Sequence, residues 1–404
     1  MMRAMSRSRS YPRHAALFAL FTTLALAACG GSGEADPAVP TTPGPTAPPP
    51  SPPPAVSMTP AAPSAAPSAA PTAAPAEKAP APVLKAIDVY GTKLIDGAWV
   101  KTRFGATFQR WFDTEDEAET KQLEKEMVDG ILAEKKDIGW VKFSPVTYYN
   151  MGNVPQSYVT VDVVERKDMK KRLTFGPEPK GDFEDPAGLI AAWNEYESTF
   201  FRMMREQEIG SERVPCPAFH CMGGYKHEKL RPYGDKFVKD VPPNEDKLIR
   251  ILKEDKDPKD RASAAFLLAH IKDGKKLVGL MLPMLNDPDF LVRNNATRVL
   301  VNVAMFHHDV PVPLTPLLKG LDGPTMTDRN KAAAVTWGLV DRPDGQKLYA
   351  QVIKEAGATL IGLLRLEQPN NHDFAYKILK KVSGKDLGER DYDAWTKWLA
   401  EQKR

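Results

Sequence analysis

The chain is 404 residues long and carries 55 Lys and Arg against 52 Asp and Glu, a formal net charge of +3. Apolar residues at 42% and charged residues at 26% fit a soluble globular protein and exclude a multi-span membrane protein. The near balance of charge removes the main sequence argument for nucleic-acid binding.

The N-terminus reads as an address. Arg3, Arg7, Arg9 and Arg13 precede an apolar run from Ala15 to Leu26, which is too short to cross about 30 Å of hydrocarbon as a permanent helix. The run ends in Leu26-Ala27-Ala28-Cys29-Gly30, which resembles the lipobox of bacterial lipoproteins. That resemblance implies a signal peptide over 1–28, cleavage before Cys29, and diacylglycerol and acyl chains such as palmitate on Cys29. It also implies a bacterial envelope location, with the anchor in the outer membrane and the folded part in the periplasm or at the cell surface. Residues 29–82 then read as a disordered tether: 17 of the 47 residues from Asp36 to Pro82 are proline, and most of the others are Ala, Ser or Thr. Nothing there offsets chain entropy, and a fully extended polyproline chain of that length reaches about 140 Å.

Residues 83–175 read as an α+β domain. Val83–Tyr90 alternates as a strand closed by Gly91. Helices are expected over Asp96–Trp111 and Glu115–Lys136, the second with Leu123, Met127, Ile131 and Leu132 on one face. Strands are expected from Gly139 to Tyr149 and from Ser157 to Glu165. The order β-α-α-β-β resembles a POTRA (polypeptide-transport-associated) domain, carried by Ile87-Asp88-Val89-Tyr90-Gly91, the amphipathic helix before Ile138-Gly139-Trp140, and the closing strands. The resemblance implies a strand edge that takes up a peptide, here the edge of 157–165.

Residues 176–242 hold a helix and a cysteine loop. Asp185-Pro186 is an N-cap signal, and Leu189, Ile190, Trp193, Tyr196, Phe200 and Met204 form an apolar stripe. With Cys29 lipidated, Cys216 and Cys221 remain, five positions apart. In an oxidising compartment they suggest a disulfide. Free thiols, or a metal site with His220 and His227, are the alternatives.

Residues 243–404 repeat. Asp255, Arg261, Ala264 and Leu268 recur as Asp287, Arg293, Ala296 and Leu300, and a weaker third copy runs through Asp322, Asp328, Arg329 and Ala332. Each unit pairs a helix (Lys247–Leu252, Leu277–Leu285, Leu314–Leu321) with an Asp-containing turn and a second helix. These units resemble HEAT-like repeats of the short bacterial, phycobilisome-lyase type, carried by Leu285-Asn286-Asp287-Pro288-Asp289 and Val292-Arg293-Asn294-Asn295-Ala296. The resemblance implies an all-α solenoid in which Asp255, Arg261, Asp287 and Arg293 form structural ladders between stacked units. Phe374, Ile378, Leu379, Val382, Tyr392, Trp395, Trp398 and Leu399 read as its C-terminal cap.

No Gly-x-Ser-x-Gly, Walker, GxGxxG or HExxH motif occurs. His307-His308 reads as a solvated pair, and Asp113–Glu117 as an acidic helix start. The expectation is a non-catalytic scaffold with no cofactor and no resident metal, binding an envelope protein or peptide through a sheet edge and a repeat surface. A peptidoglycan hydrolase, or a metal enzyme using the 216–227 loop, is the alternative.

Overall fold

Strand β1 (Val83–Tyr90) spans the residues whose alternation predicts it. In the computed structural model of the protein, residues 82–402 are described except 115, 149–153, 207 and 210–215. Cys29, the signal segment and the tether lie outside the described residues. Gly91 follows β1 at φ +94°, where a Cβ would fall 2.0 Å from the Val163 carbonyl oxygen. Helix α1 (Gly97–Asp113) begins where the Asp96 carboxylate accepts the Trp99 N–H. Helix α2 (Glu117–Glu134) begins where Asp116 accepts from Ala118 and Glu119, two residues later than the acidic run suggests. β2 (Ile138–Tyr148) and β3 (Gln156–Glu165) complete a sheet of order β1-β3-β2, with β1 parallel and β2 antiparallel to β3.

That order overturns one expectation. Strand 157–165 has no free edge, because β3 is paired on both sides. The outer strands are β1 and β2, and both are blunted. β1 slips register between Leu84 and Ala86, and Gly97 closes so tightly on it that a Cβ would lie 2.0 Å from the Ile87 carbonyl oxygen. β2 carries Pro145, which cannot donate to an added strand.

The sheet is covered on both faces, so β3 reads as a nearly continuous buried run. Val159, Val161 and Val163 pack with Val141 and Phe143 against Phe104, Phe108, Met127 and Ile131 of the two helices. The other face is polar yet buried: Asp88, Ser144, Thr160 and Asp162 are all below 8% exposed. Beneath it lie the helical repeats.

A short helix α3 (Met169–Arg172) leads into a strap along the repeat turns, where the Gly176 and Gly181 N–H groups donate to the Asn286 and Glu254 carbonyls. Asp185 caps as expected, but at a distance: Ala187 and Gly188 turn left-handed, and the carboxylate accepts from Ile190 and Ala191 at the start of α4 (Leu189–Arg205). Trp193, Tyr196 and Phe200 of its stripe are buried. Helix α5 (Arg231–Asp240) has few apolar positions and buries Phe237.

The repeats are hairpins of α6 (Glu245–Glu254) with α7 (Pro258–Leu267), α8 (Gly274–Met281) with α9 (Phe290–Phe306), and α10 (Thr315–Gly320) with α11 (Met326–Val340). A further pair, α12 (Tyr349–Leu363) with α13 (Pro369–Ser383), precedes α14 (Tyr392–Glu401). The second helices stack in the order α7, α9, α11, α13. The cap residues Phe374, Ile378, Leu379, Val382, Trp395, Trp398 and Leu399 are buried, and Tyr392 packs against them.

Candidate interaction site: the arginine ladder and the cleft beside it

Three arginines, one near the start of each of α7, α9 and α11, repeat the same bond. Arg261, Arg293 and Arg329 each donate through Nη1 to the carbonyl six residues earlier: Asp255 at 2.8 Å, Asp287 at 2.9 Å and Gly323 at 3.0 Å. The remaining fork reaches into the next unit. Arg261 holds both Asp287 oxygens at 3.0 and 2.8 Å, and Arg293 holds both Asp328 oxygens at 2.9 and 3.0 Å. These parallel charge-assisted bonds fix both distance and orientation between units. Asp255 starts the row without an arginine, accepting instead from the Asp257 and Phe183 N–H groups.

The third unit departs from the sequence register. Asp322 is exposed and accepts from the Tyr90 hydroxyl, while Gly323 supplies the carbonyl and Asp328 the carboxylate. The inserted Gly323-Pro324 turn moves the acid into the helix. In the fourth unit, Leu366-Glu367-Gln368-Pro369 stands where Leu285-Asn286-Asp287-Pro288 stands in the second, so no acid is available for Arg329. The sheet supplies it. Arg329 Nη2 lies 2.6 Å from Asp162 Oδ1 of β3, with both side chains fully buried.

Two sheet carboxylates therefore meet helix starts. Asp162 also accepts from the Met326 N–H and the Ser144 hydroxyl, each at 2.8 Å. Asp88 accepts from the Glu367 and Gln368 N–H groups, both at 2.9 Å, and Gln368 in turn donates to the Tyr148 hydroxyl. Burial pushes the Asp88 carboxyl above the usual range, and those N–H bonds pull it back. Anions at helix N-termini meet favourable dipoles. Neither acid carries a site role in the sequence, where Asp88 stands only within a strand; the signal available was an isolated Asp among the mostly apolar residues of β1 and the Val- and Thr-rich residues of β3.

Beside this seam, β2, the strap and the repeat turns enclose a cleft of about 340 Å³. Trp140, Leu173, Phe175 and Phe290 form its apolar walls. Two cations stand on its rings: Lys142 Nζ is 3.6 Å from the Phe290 centroid and Arg293 Cζ is 4.0 Å from that of Phe175. Burial pushes the Lys142 ammonium down, with Glu124 opposing.

Residues 245–336 match the family model for HEAT repeats. The C-terminal region carries HEAT-like repeats. No curated protein and no solved structure matches the chain.

The cysteine loop lies on the HEAT-like stack. Cys216 and Cys221 sit at disulfide distance, Cα to Cα 5.7 Å. The Phe219 N–H donates to the Ala269 carbonyl, and its ring meets His307 at 4.8 Å, so His307 is packed where a solvated pair was expected. His220 stacks on Phe266 at 4.8 Å, and burial beside Arg298 holds its imidazole well below the usual range. His227 instead accepts the Lys229 N–H. Among the described residues no three His, Cys, Asp or Glu side chains are grouped to hold a metal.

Two further buried groups in the HEAT-like stack are perturbed. His270 donates from Nδ1 to the Leu267 carbonyl at 2.9 Å and accepts the Tyr225 hydroxyl on Nε2 at 2.7 Å, a neutral imidazole whose pKa burial pushes down to about 4. Lys331, 3% exposed, is pushed by burial down to about 7, with Arg298 adding repulsion. The unfolded chain therefore binds a proton on Lys331, between about pH 7 and 10.5, that the native protein does not. Stability should rise with pH across that window. From pH 7 to 9 the expected gain is about 2 kcal/mol, and Lys331→Met should flatten it; urea titrations at several pH values check both.

Proposed function

We propose that the protein is a non-catalytic scaffold that binds other proteins through its helical-repeat surface. The observation that carries this reading is the ladder-locked HEAT-like stack, since such repeats commonly mediate contacts between proteins. The perturbed His270 imidazole is fully used by internal bonds, which leaves it no free nitrogen for acid–base work. We read the sheet module as POTRA-like on its β-α-α-β-β order. Its blunted outer strands favour the repeat surface over strand addition. The lipobox-like segment and Cys29 support an envelope lipoprotein whose long tether concentrates the binding module near a membrane while leaving it room to search. The Cys216–Cys221 distance supports a disulfide in that oxidising compartment.

Whole-cell crosslinking followed by mass spectrometry tests the reading. One defined envelope complex should be recovered, and charge reversals on the repeat surface should abolish it. Failure to recover any partner, together with turnover of peptidoglycan by the purified protein, would replace the scaffold with a hydrolase.

A further inference from the structure

The cleft of about 340 Å³ opens beside a ridge of positive charge. Arg166, Lys167, Lys170 and Lys171 are all exposed, and the four-residue spacing of Arg166 with Lys170 and of Lys167 with Lys171 makes each pair neighbours along the turn into α3. Lys136, also exposed, adjoins them, its backbone carbonyl accepting from Arg166 Nε. Of these five, Lys167 pairs with Glu165, and among the described residues Lys136, Lys170 and Lys171 make no ion pair.

Ridge and cleft are one surface. Met169 and Arg166 cover Gly139, where a Cβ would fall 2.3 Å from the Met169 sulfur, and Gly139 adjoins Trp140 of the cleft wall. Leu173, which also lines the cleft, follows Lys170 by a single turn, its N–H donating to the Met169 carbonyl. Inside the cleft Arg293 holds Asp328, Asp289 caps α9 through the Leu291 N–H, and the Lys142 ammonium lies over the Phe290 ring. The interior thus favours an apolar side chain, and the ridge favours carboxylates.

We infer that this surface docks an acidic segment of a partner protein, which places an aromatic or large aliphatic anchor between Trp140, Leu173 and Phe290 and lays its carboxylates along Lys136, Arg166, Lys170 and Lys171. The inference rests on the protein-binding reading above and gives the partner its chemistry. Apolar anchors in a pocket with a charged surround are the usual division between affinity and steering.

The test uses the full chain and a fluorescein-labelled peptide of alternating Glu and Asp around one central Phe, followed by fluorescence anisotropy. Saturable binding that weakens with added salt is expected. Lys170→Glu with Lys171→Glu should weaken it by about tenfold or more, and so should replacing the peptide's Phe by Ala. Both lysines are exposed, so that variant keeps its fold; Trp140→Ala, checked by circular dichroism, should lose a similar factor. No saturation up to about 1 mM peptide, or binding indifferent to the double reversal, would overturn the inference. Capture of phosphatidylglycerol vesicles in place of the peptide through the same lysines would overturn it too, in favour of a lipid surface. A partner crosslinked in cells that the Lys170 and Lys171 reversals leave untouched would sink the cleft alone; recovery of no partner would sink the scaffold reading itself.

Discussion

Asp162→Ala should lower folding stability by about 3–5 kcal/mol, because removing one member of a buried pair leaves the other charge uncompensated. Arg329 and Asp162 are both fully buried at 2.6 Å, and the same carboxylate also satisfies the Met326 N–H and Ser144 hydroxyl. Urea denaturation of the full chain measures the loss. Replacing the two together, Asp162→Leu with Arg329→Met, should recover most of it, since a well-packed apolar pair is often neutral against a buried ion pair. A loss below about 1 kcal/mol for Asp162→Ala would mean that water reaches the pair and that the ladder does not end on the sheet.

Arg261→Ala should cost a similar amount, about 3–5 kcal/mol. It removes a fork from Asp287, which is 7% exposed, and a bond from the Asp255 carbonyl, so Asp287 keeps only the Asp289 N–H and its charge loses its counterion inside the stack. Lys347→Ala, which breaks an exposed pair with Asp344, should change stability by less than about 0.5 kcal/mol. Parallel denaturation curves of the two variants separate burial from pairing as the source of the effect. Equal effects would contradict the ladder's role.

The residues that spelled out the fold were those with local causes. Val83–Tyr90 alternates, Asp96 and Asp116 cap, and Leu123, Met127 and Ile131 share a helix face, so each element was readable from a few neighbours. The repeat was readable because Asp255 and Arg261 return in the same register as Asp287 and Arg293. It faded at α12 and α13, where Gln368 and Phe374 occupy the positions of that acid and that arginine. Strand order is a long-range property: nothing within 157–165 says that β1 will pair with it from the far side. The candidate site was hidden for the same reason. Asp162 and Arg329 are 167 positions apart, and Trp140 and Phe290, far apart in sequence too, line the same cleft.

The central claim is that sheet and repeats form one body, with Asp88 and Asp162 closing the stack and the cleft lying along their seam. Hydrogen exchange by mass spectrometry in rising denaturant tests it most directly. Peptides covering 138–148, 156–165 and 326–340 should lose protection at the same denaturant concentration, and Asp162→Ala should shift all of them. Early exchange of the sheet peptides, with the repeat peptides still protected, would contradict it.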